Sequence, residues 1–354
     1  MTGKKLAVMG GAAILLGACA LLLDRGSSMK APDLVGKKLI PALDWSSVSR
    51  IEMGGGSNRV AIASSDNGWT VESLFGYPAS EAKIRRNLLA LQECSVGDVS
   101  SREIKDAKLV DIQNASGKSM LALILGDKRQ PSANPEFPYA PARADGRYVR
   151  VGNREETLLV GDSLEAFDGA VSDWADTEIA SVDSASLTSL MFISADGKDF
   201  KLVKKDGAWT MPGLGKDDKF DDAAVYSSES AFGRLEFASV ADPKIPVATS
   251  GLDKPACFIA QATDGSIYTA QIGAATPAGD ERYLKIRASF SPTGTNATAN
   301  AAALLRVNDF NARNEKWVYL VSASALDPMM KQRADFIKKE EKENKGGQEA
   351  PGVK

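Results

Sequence analysis

The run Asp44-Trp45-Ser46-Ser47-Val48-Ser49-Arg50-Ile51 recurs as Asp183-Ser184-Ala185-Ser186-Leu187-Thr188-Ser189-Leu190, and the segments behind the two copies stay in register. Gly68-Trp69-Thr70-Val71 answers Ala208-Trp209-Thr210-Met211 at a spacing of 140 residues. Ile84 answers Val225 at 141, and Tyr148 answers Tyr283 at 135. The spacing drifts only where loops differ in length. A repeat this long exceeds the roughly 20 to 50 residues of solenoid and propeller units, so each copy must fold as a small domain rather than as one coil of a stack.

Within a copy the order of elements is legible. Val48, Ile51 and Met53, then residues 60–63, then Trp69-Thr70-Val71 are β-prone runs parted by Gly54-Gly55-Gly56 and Asp66-Asn67-Gly68. Glycine and Asx residues at those points favour tight turns, which predicts a three-stranded antiparallel meander. Residues 190–193, 200–203 and 209–211 repeat it, with Asp196-Gly197 and Asp206-Gly207 at the turns. Ile84, Leu88 and Leu91 then fall at helical spacing behind the cap candidate Ser80, and a counterpart helix is expected from about Asp221 to Leu235. Further strands are expected at 120–125, 148–151 and 157–160, echoed at 268–272, 283–286 and 317–321.

The class is therefore α+β: a tandem duplication of a mainly antiparallel β-sheet unit with one packed helix. Expected boundaries are 37–165 for the first unit and 172–327 for the second, with a charged helical to disordered tail over 331–354. Two loops break the correspondence. Residues 131–141 carry four prolines and belong to the first copy alone, while 291–300, rich in Ser, Thr, Asn, Gly and Ala, belong to the second. Loops that differ between otherwise matched copies are natural carriers of specific contacts.

Residues 1–30 read as a membrane anchor or signal segment. Lys4-Lys5 precede an 18-residue run without a charge, from Leu6 to Leu23, which Asp24-Arg25 close. That length sits at the lower limit for a transmembrane helix, and the preceding lysines favour an N-in orientation with the body across the membrane, periplasmic in a bacterium. Two alternatives stay open. Leu16-Gly17-Ala18-Cys19 resembles a lipobox that would make Cys19 a lipidation site, although residues 20–23 continue the apolar run. A cleavable signal peptide would also export the body.

The sequence contains no histidine, which excludes Ser-His-Asp and Cys-His nucleophile systems and imidazole general bases. No catalytic, cofactor-binding or metal-binding residue is assigned, so the expectation is a protein that is not an enzyme and carries no cofactor. The Asp217-Asp218 and Asp221-Asp222 cluster lacks EF-hand spacing and reads as helix N-terminal charge. A net charge of −3 gives no footprint for nucleic acid. Cys94 and Cys257 fall at apolar positions of their own copies and read as free thiols, with a disulfide as the alternative. Trp69, Trp209, Tyr148 and Tyr283 read as core or half-core aromatics.

The exported anchor, Leu39-Ile-Pro-x-Leu-Asp44, the Asp-x-Gly-x-Trp turns, the Ala-x-x-x-x-Ile/Val helix and Ser172-x-Trp-x-Asp176 occur in one order. Together they resemble a bacterial family of domains of unknown function, DUF4340, over residues 37–327. The resemblance implies an extracytoplasmic partner of an ABC-type transport system of the gliding-motility kind. The expected function is a membrane-tethered, periplasmic, non-enzymatic binding or scaffold protein, accessory to a transporter or envelope complex. The alternative is an envelope glycan-binding or glycan-processing protein using carboxylates on strands.

Overall fold

A computed structural model describes residues 34–40, 43–55, 58–66, 68–105, 107–130 and 144–338. Leu6, Leu23, Cys19 and the 131–141 proline loop lie outside these residues. The chain divides into two compact units, Met1–Thr177 and Glu178–Lys354. Both consist mainly of antiparallel sheet with a few helices, the α+β class.

The first unit holds a nine-stranded sheet. Its strands are β1 (Val48–Gly55), β2 (Asn58–Ser65), β3 (Gly68–Val71), β4 (Tyr77–Pro78), β5 (Val96–Ser100), β6 (Lys108–Asn114), β7 (Ser119–Arg129), β8 (Gly146–Val151) and β9 (Thr157–Val160), in the order β4-β3-β2-β1-β6-β7-β8-β9-β5. The second unit holds an eight-stranded sheet. It comprises β11 (Leu187–Ile193), β12 (Asp199–Lys205), β13 (Ala208–Thr210), β15 (Ser239–Val240), β16 (Ala256–Ala262), β17 (Ser266–Ala275), β18 (Glu281–Phe290) and β19 (Tyr319–Ser322). Their order, β13-β12-β11-β16-β17-β18-β19-β15, follows that of the first sheet strand for strand, lacking only an equivalent of β4.

Period-2 alternation explains the cores. Ile51 pairs with Ile62 on one side and Ile112 on the other, and all three are fully buried. Leu190 pairs in the same way with Leu202 and Ala260. Successive strand residues point to opposite faces, so each chain of such pairs lines one buried face.

Two expectations need correction. The helix expected over 221–235 is confined to Val225–Glu229. Its serines offer the backbone other partners: Ser230 Oγ donates to Tyr226 O (2.9 Å), and Ser228 Oγ leaves the helix for Pro328 O (2.6 Å). The 291–300 insertion is not all loop, because a helix runs over Ala297–Asn314 between β18 and β19, where the first unit has only a short turn between β8 and β9. Alanines supply its propensity, and the Asn296 side chain caps it by accepting Ala299 N (3.1 Å).

Contacts also extend past the expected ends at 165 and 327. Residues 172–176 belong to the first unit: Trp174 is fully buried, its carbonyl accepts Ser80 N (2.7 Å), and Lys83 Nζ donates to Ser172 O (3.1 Å) and Ala175 O (2.8 Å). Residues 331–338 pack into the second unit in the same manner. Phe336 is fully buried against Phe192 and Phe200, its carbonyl accepts Asp221 N (2.9 Å), and Lys331 Nζ donates to Ala224 O (2.6 Å). One aromatic side chain among charges outweighs the local composition because its burial removes a large apolar area from water.

Candidate functional site

Among the described residues a cleft lies in the second unit. Its volume is about 470 Å³, and it is lined by residues 178–182 along one side and by Tyr268, Arg306, Asp309, Phe310 and Arg313 on the other. One wall is strand β10 (Glu178–Ala180), which pairs with the short strand β14 (Leu235–Glu236) and, among the described residues, with no other strand. The opposite wall is the Ala297–Asn314 helix, the element the first unit lacks.

Sequence spacing sets that helix in place. Ala303, Val307, Phe310 and Asn314 recur at helical intervals and are buried. The Asn311 amide clips the helix to β18 by accepting Ala288 N (2.7 Å) and donating to Ala288 O (2.9 Å). Asn314 Nδ2 donates to Phe310 O (3.0 Å) and across the cleft to Ile179 O (3.3 Å), while its Oδ1 accepts Tyr319 Oη (2.8 Å). Arg306 is anchored on Asp264 (2.7 Å). Burial pushes the Asp264 carboxyl up, but the Arg306 and Ser266 hydrogen bonds outweigh it and hold the group below its ordinary value. Tyr268 stands edge-on to Phe310 at 5.3 Å, and burial raises its phenol. Arg313 is exposed and makes no ion pair among the described residues. The cleft wall thus carries both signs of charge, Arg306 and Arg313 beside Glu178 and Asp309, over the buried side chains of Ile179 and Phe310.

Carboxylates meet elsewhere, in the first sheet. Glu52 and Asp111 are cross-strand partners on β1 and β6, and both are buried. Both are also engaged. Glu52 pairs with Arg50 (2.8 Å) and Arg59, and Asp111 accepts Gln113 Nε2 (2.6 Å) and Ser119 Oγ (2.6 Å). The corresponding register positions of the second sheet carry Met191 and Ile259. A second cluster gathers Lys108, Lys128 and Arg147 on Asp168, at 3.1, 3.0 and 2.7 Å. It ties β6, β7 and β8 to the turn at Glu165–Asp168.

The other residues singled out in sequence have structural surroundings. Asp218 and Asp222 face Arg333 (3.6 Å) and Lys338 (3.9 Å), and the Val225–Glu229 helix has no acid in its first turn, so these charges serve the closing segment rather than a helix dipole. Among the described residues no group of three ligating side chains converges as a metal site would require. Trp69 and Trp209 are half-buried, Tyr283 is buried, and Tyr148 lies half-buried with the Arg102 guanidinium 4.7 Å from its ring centre. Cys94 and Cys257 are both free thiols.

Burial, helped by the charge of Asp162, pushes the Cys94 thiol up to about 11. At pH ~8 its thiolate fraction is then on the order of a thousandth, too little for attack on an alkylating reagent. Site-resolved mass spectrometry after iodoacetamide treatment is expected to find Cys94 unmodified in the folded protein and modified once denaturant is added. Ready labelling without denaturant would contradict this placement.

Against known proteins, the sequence model of DUF4340, a domain of unknown function, matches residues 69–255, over half of the 354-residue chain. The chain belongs to the DUF4340 family. The matched span starts in β3 and continues into the second unit, so in this DUF4340 protein it includes the 178–182 wall of the cleft but not the facing helix. Comparisons with curated proteins and with solved structures find no match. Sequence reasoning did not find the cleft. Its only signal was the unmatched 291–300 insertion, which leads into the helix that forms one wall.

Proposed function

We propose that this DUF4340 protein is a membrane-tethered, extracytoplasmic binding or scaffold protein, two duplicated sheet units held at the membrane by residues 6–23 and accessory to a transporter or other envelope complex. The observation that carries the binding reading is the cleft between residues 178–182 and the Ala297–Asn314 helix, because its helical wall is what one unit has and the other lacks. Concave sites with an apolar floor and a few polar groups are the usual form of a binding pocket. The uncharged run from Leu6 to Leu23 supports the tether, with lipidation at Cys19 as the other way to hold the body at a membrane. No helix among the described residues is long and apolar enough to cross a membrane.

The test is affinity purification from detergent-solubilised membranes with the N-terminal segment intact. Co-recovery of permease or auxiliary transporter subunits is the expected result, and recovery of the protein alone overturns the accessory role. The glycan reading has one observation in its favour, the neighbouring Glu52 and Asp111. Both acids already hold partners, so it ranks second. Loss of binding to purified cell-wall glycan in a Glu52→Gln, Asp111→Asn double variant would promote it.

A further inference from the structure

We propose that a second copy of this chain docks on the outward side of the Ala297–Asn314 helix, forming an antiparallel two-fold helix pair. This goes beyond the binding reading above and does not depend on it. At 3.6 residues per turn the buried Ala303, Val307, Phe310 and Asn314 define one side of the helix, and Ala301, Leu305, Asn308 and Ala312 fall on the other. That outward side holds no charge, and Leu305 on it is 61% exposed. A helix surface left in water ordinarily carries charge, so a helix with a second, uncharged side calls for a second neighbour. Between β8 and β9 the first unit has only a turn, so this surface has no counterpart at that place in the first sheet.

Shape and charge identify the neighbour as the same helix. A two-fold contact is isologous, so the surface must fit itself. In an antiparallel pair centred between Asn308 and Asp309, each Leu305 sits over Ala312 of the second copy, large against small at both ends of the contact. Asn308 falls beside the axis, where two carboxamides can donate to and accept from each other. The charges agree. Arg306 is engaged by Asp264 (2.7 Å), whereas Asp309 and Arg313, exposed on one flank a turn apart and opposite in sign, have no ion pair among the described residues. Glu178, which lines the cleft with them, pairs with neither. Equal flanks meet in the antiparallel pair, and each Arg313 then lies about 7.5 Å along the axis from Asp309 of the second copy, within reach of its guanidinium.

Sedimentation equilibrium of the full-length protein in density-matched detergent is expected to show dimers. Leu305→Glu, at an exposed position, should weaken them at least about tenfold, because the two-fold counts each change twice. Asp309→Arg should also weaken them, and Asp309→Arg combined with Arg313→Asp, which restores opposite charges across the pair, should recover the association. That recovery cannot arise from a loss of folding. Oxidation of Asn308→Cys should yield a covalent dimer above the wild-type background, whereas Tyr226→Cys, exposed on a different helix, should not. Monomers at every concentration, dimers that survive Leu305→Glu and so are held elsewhere, or no recovery in the charge-swapped variant each overturns the proposal.

Discussion

Trp174→Ala is expected to cost the first unit about 3–5 kcal/mol, the range for removing a fully buried aromatic. The indole has no exposed surface, stands edge-on to Phe167 at 5.4 Å, and donates Nε1–H to Ala166 O at 2.9 Å. Alanine would leave both a cavity and an orphaned carbonyl, and it would loosen the segment whose carbonyl accepts Ser80 N at the head of the Glu81–Glu93 helix. Because the units are separate compact bodies, the loss should stay in the first. Peptide-resolved hydrogen exchange reads each unit by itself. Residues 48–160 should exchange faster while 187–322 keep their protection, and an equal acceleration in both would refute the assignment of Trp174 to the first unit. Phe336→Ala should give the mirror result, with the second unit weakened and the first unchanged.

Arg147→Ala is expected to cost on the order of 3 kcal/mol in the same unit, because it orphans buried carbonyls and removes the most buried of the three cations on Asp168, which keeps Lys108 and Lys128. Arg147 is almost fully buried and donates to Gly126 O (2.9 Å), Ser163 O (3.3 Å), Leu164 O (3.4 Å) and Asp168 Oδ1 (2.7 Å). Arg147→Lys keeps the charge but not the fork of donors, so it should recover only part of the loss. The partner also confers a pH dependence. Burial pushes the Asp168 carboxyl up, but hydrogen bonds from Arg147, Lys128 and Lys108 outweigh that and hold it at about 2, against an ordinary 3.8.

A carboxyl depressed by folding contributes stability above its unfolded value and loses it as the pH falls through its folded one. The contribution is whole above about pH 5, drains between there and pH ~1, and, with solvent screening of the partly exposed carboxyl, is on the order of 1 kcal/mol. Asp168→Asn should flatten that acid limb for the first unit. Exchange-derived stabilities across this pH window check it, and an unchanged limb would show that other carboxylates govern acid unfolding.

The parts legible in the sequence were those with strong local signals. The meanders followed from alternating apolar residues between glycine turns, and the Glu81–Glu93 helix from Ile84 and Leu91, both of which are buried. The repeat did more, because Trp69 and Trp209 fixed a correspondence that reappears as β3 and β13 at the same place in each sheet order. It failed where the copies diverge. The Ala297–Asn314 helix reads in part as loop because Thr, Asn and Ala give it a weak apolar stripe and the side chain that clips it to β18, Asn311, is polar. Phe336 was hidden for the opposite reason, as a lone aromatic within a charged segment whose partners, Phe192 and Phe200, lie well over a hundred residues earlier. The cleft depends on β10 and the helix meeting through tertiary packing, which no local pattern encodes.

Each unit is a continuous stretch of chain, and each is fastened near its last residues, by Trp174 in one and Phe336 in the other. A chain that emerges N-terminus first therefore has every contact of its first half available before the second half is needed. Trp174 lies three residues before the boundary at Thr177. The earlier half can mature vectorially, with its nine strands paired, before the eight strands of similar pattern that follow can compete for the same partners. For two sheets of matching order on one polypeptide, pairing within each continuous half is what keeps strands from exchanging between the halves.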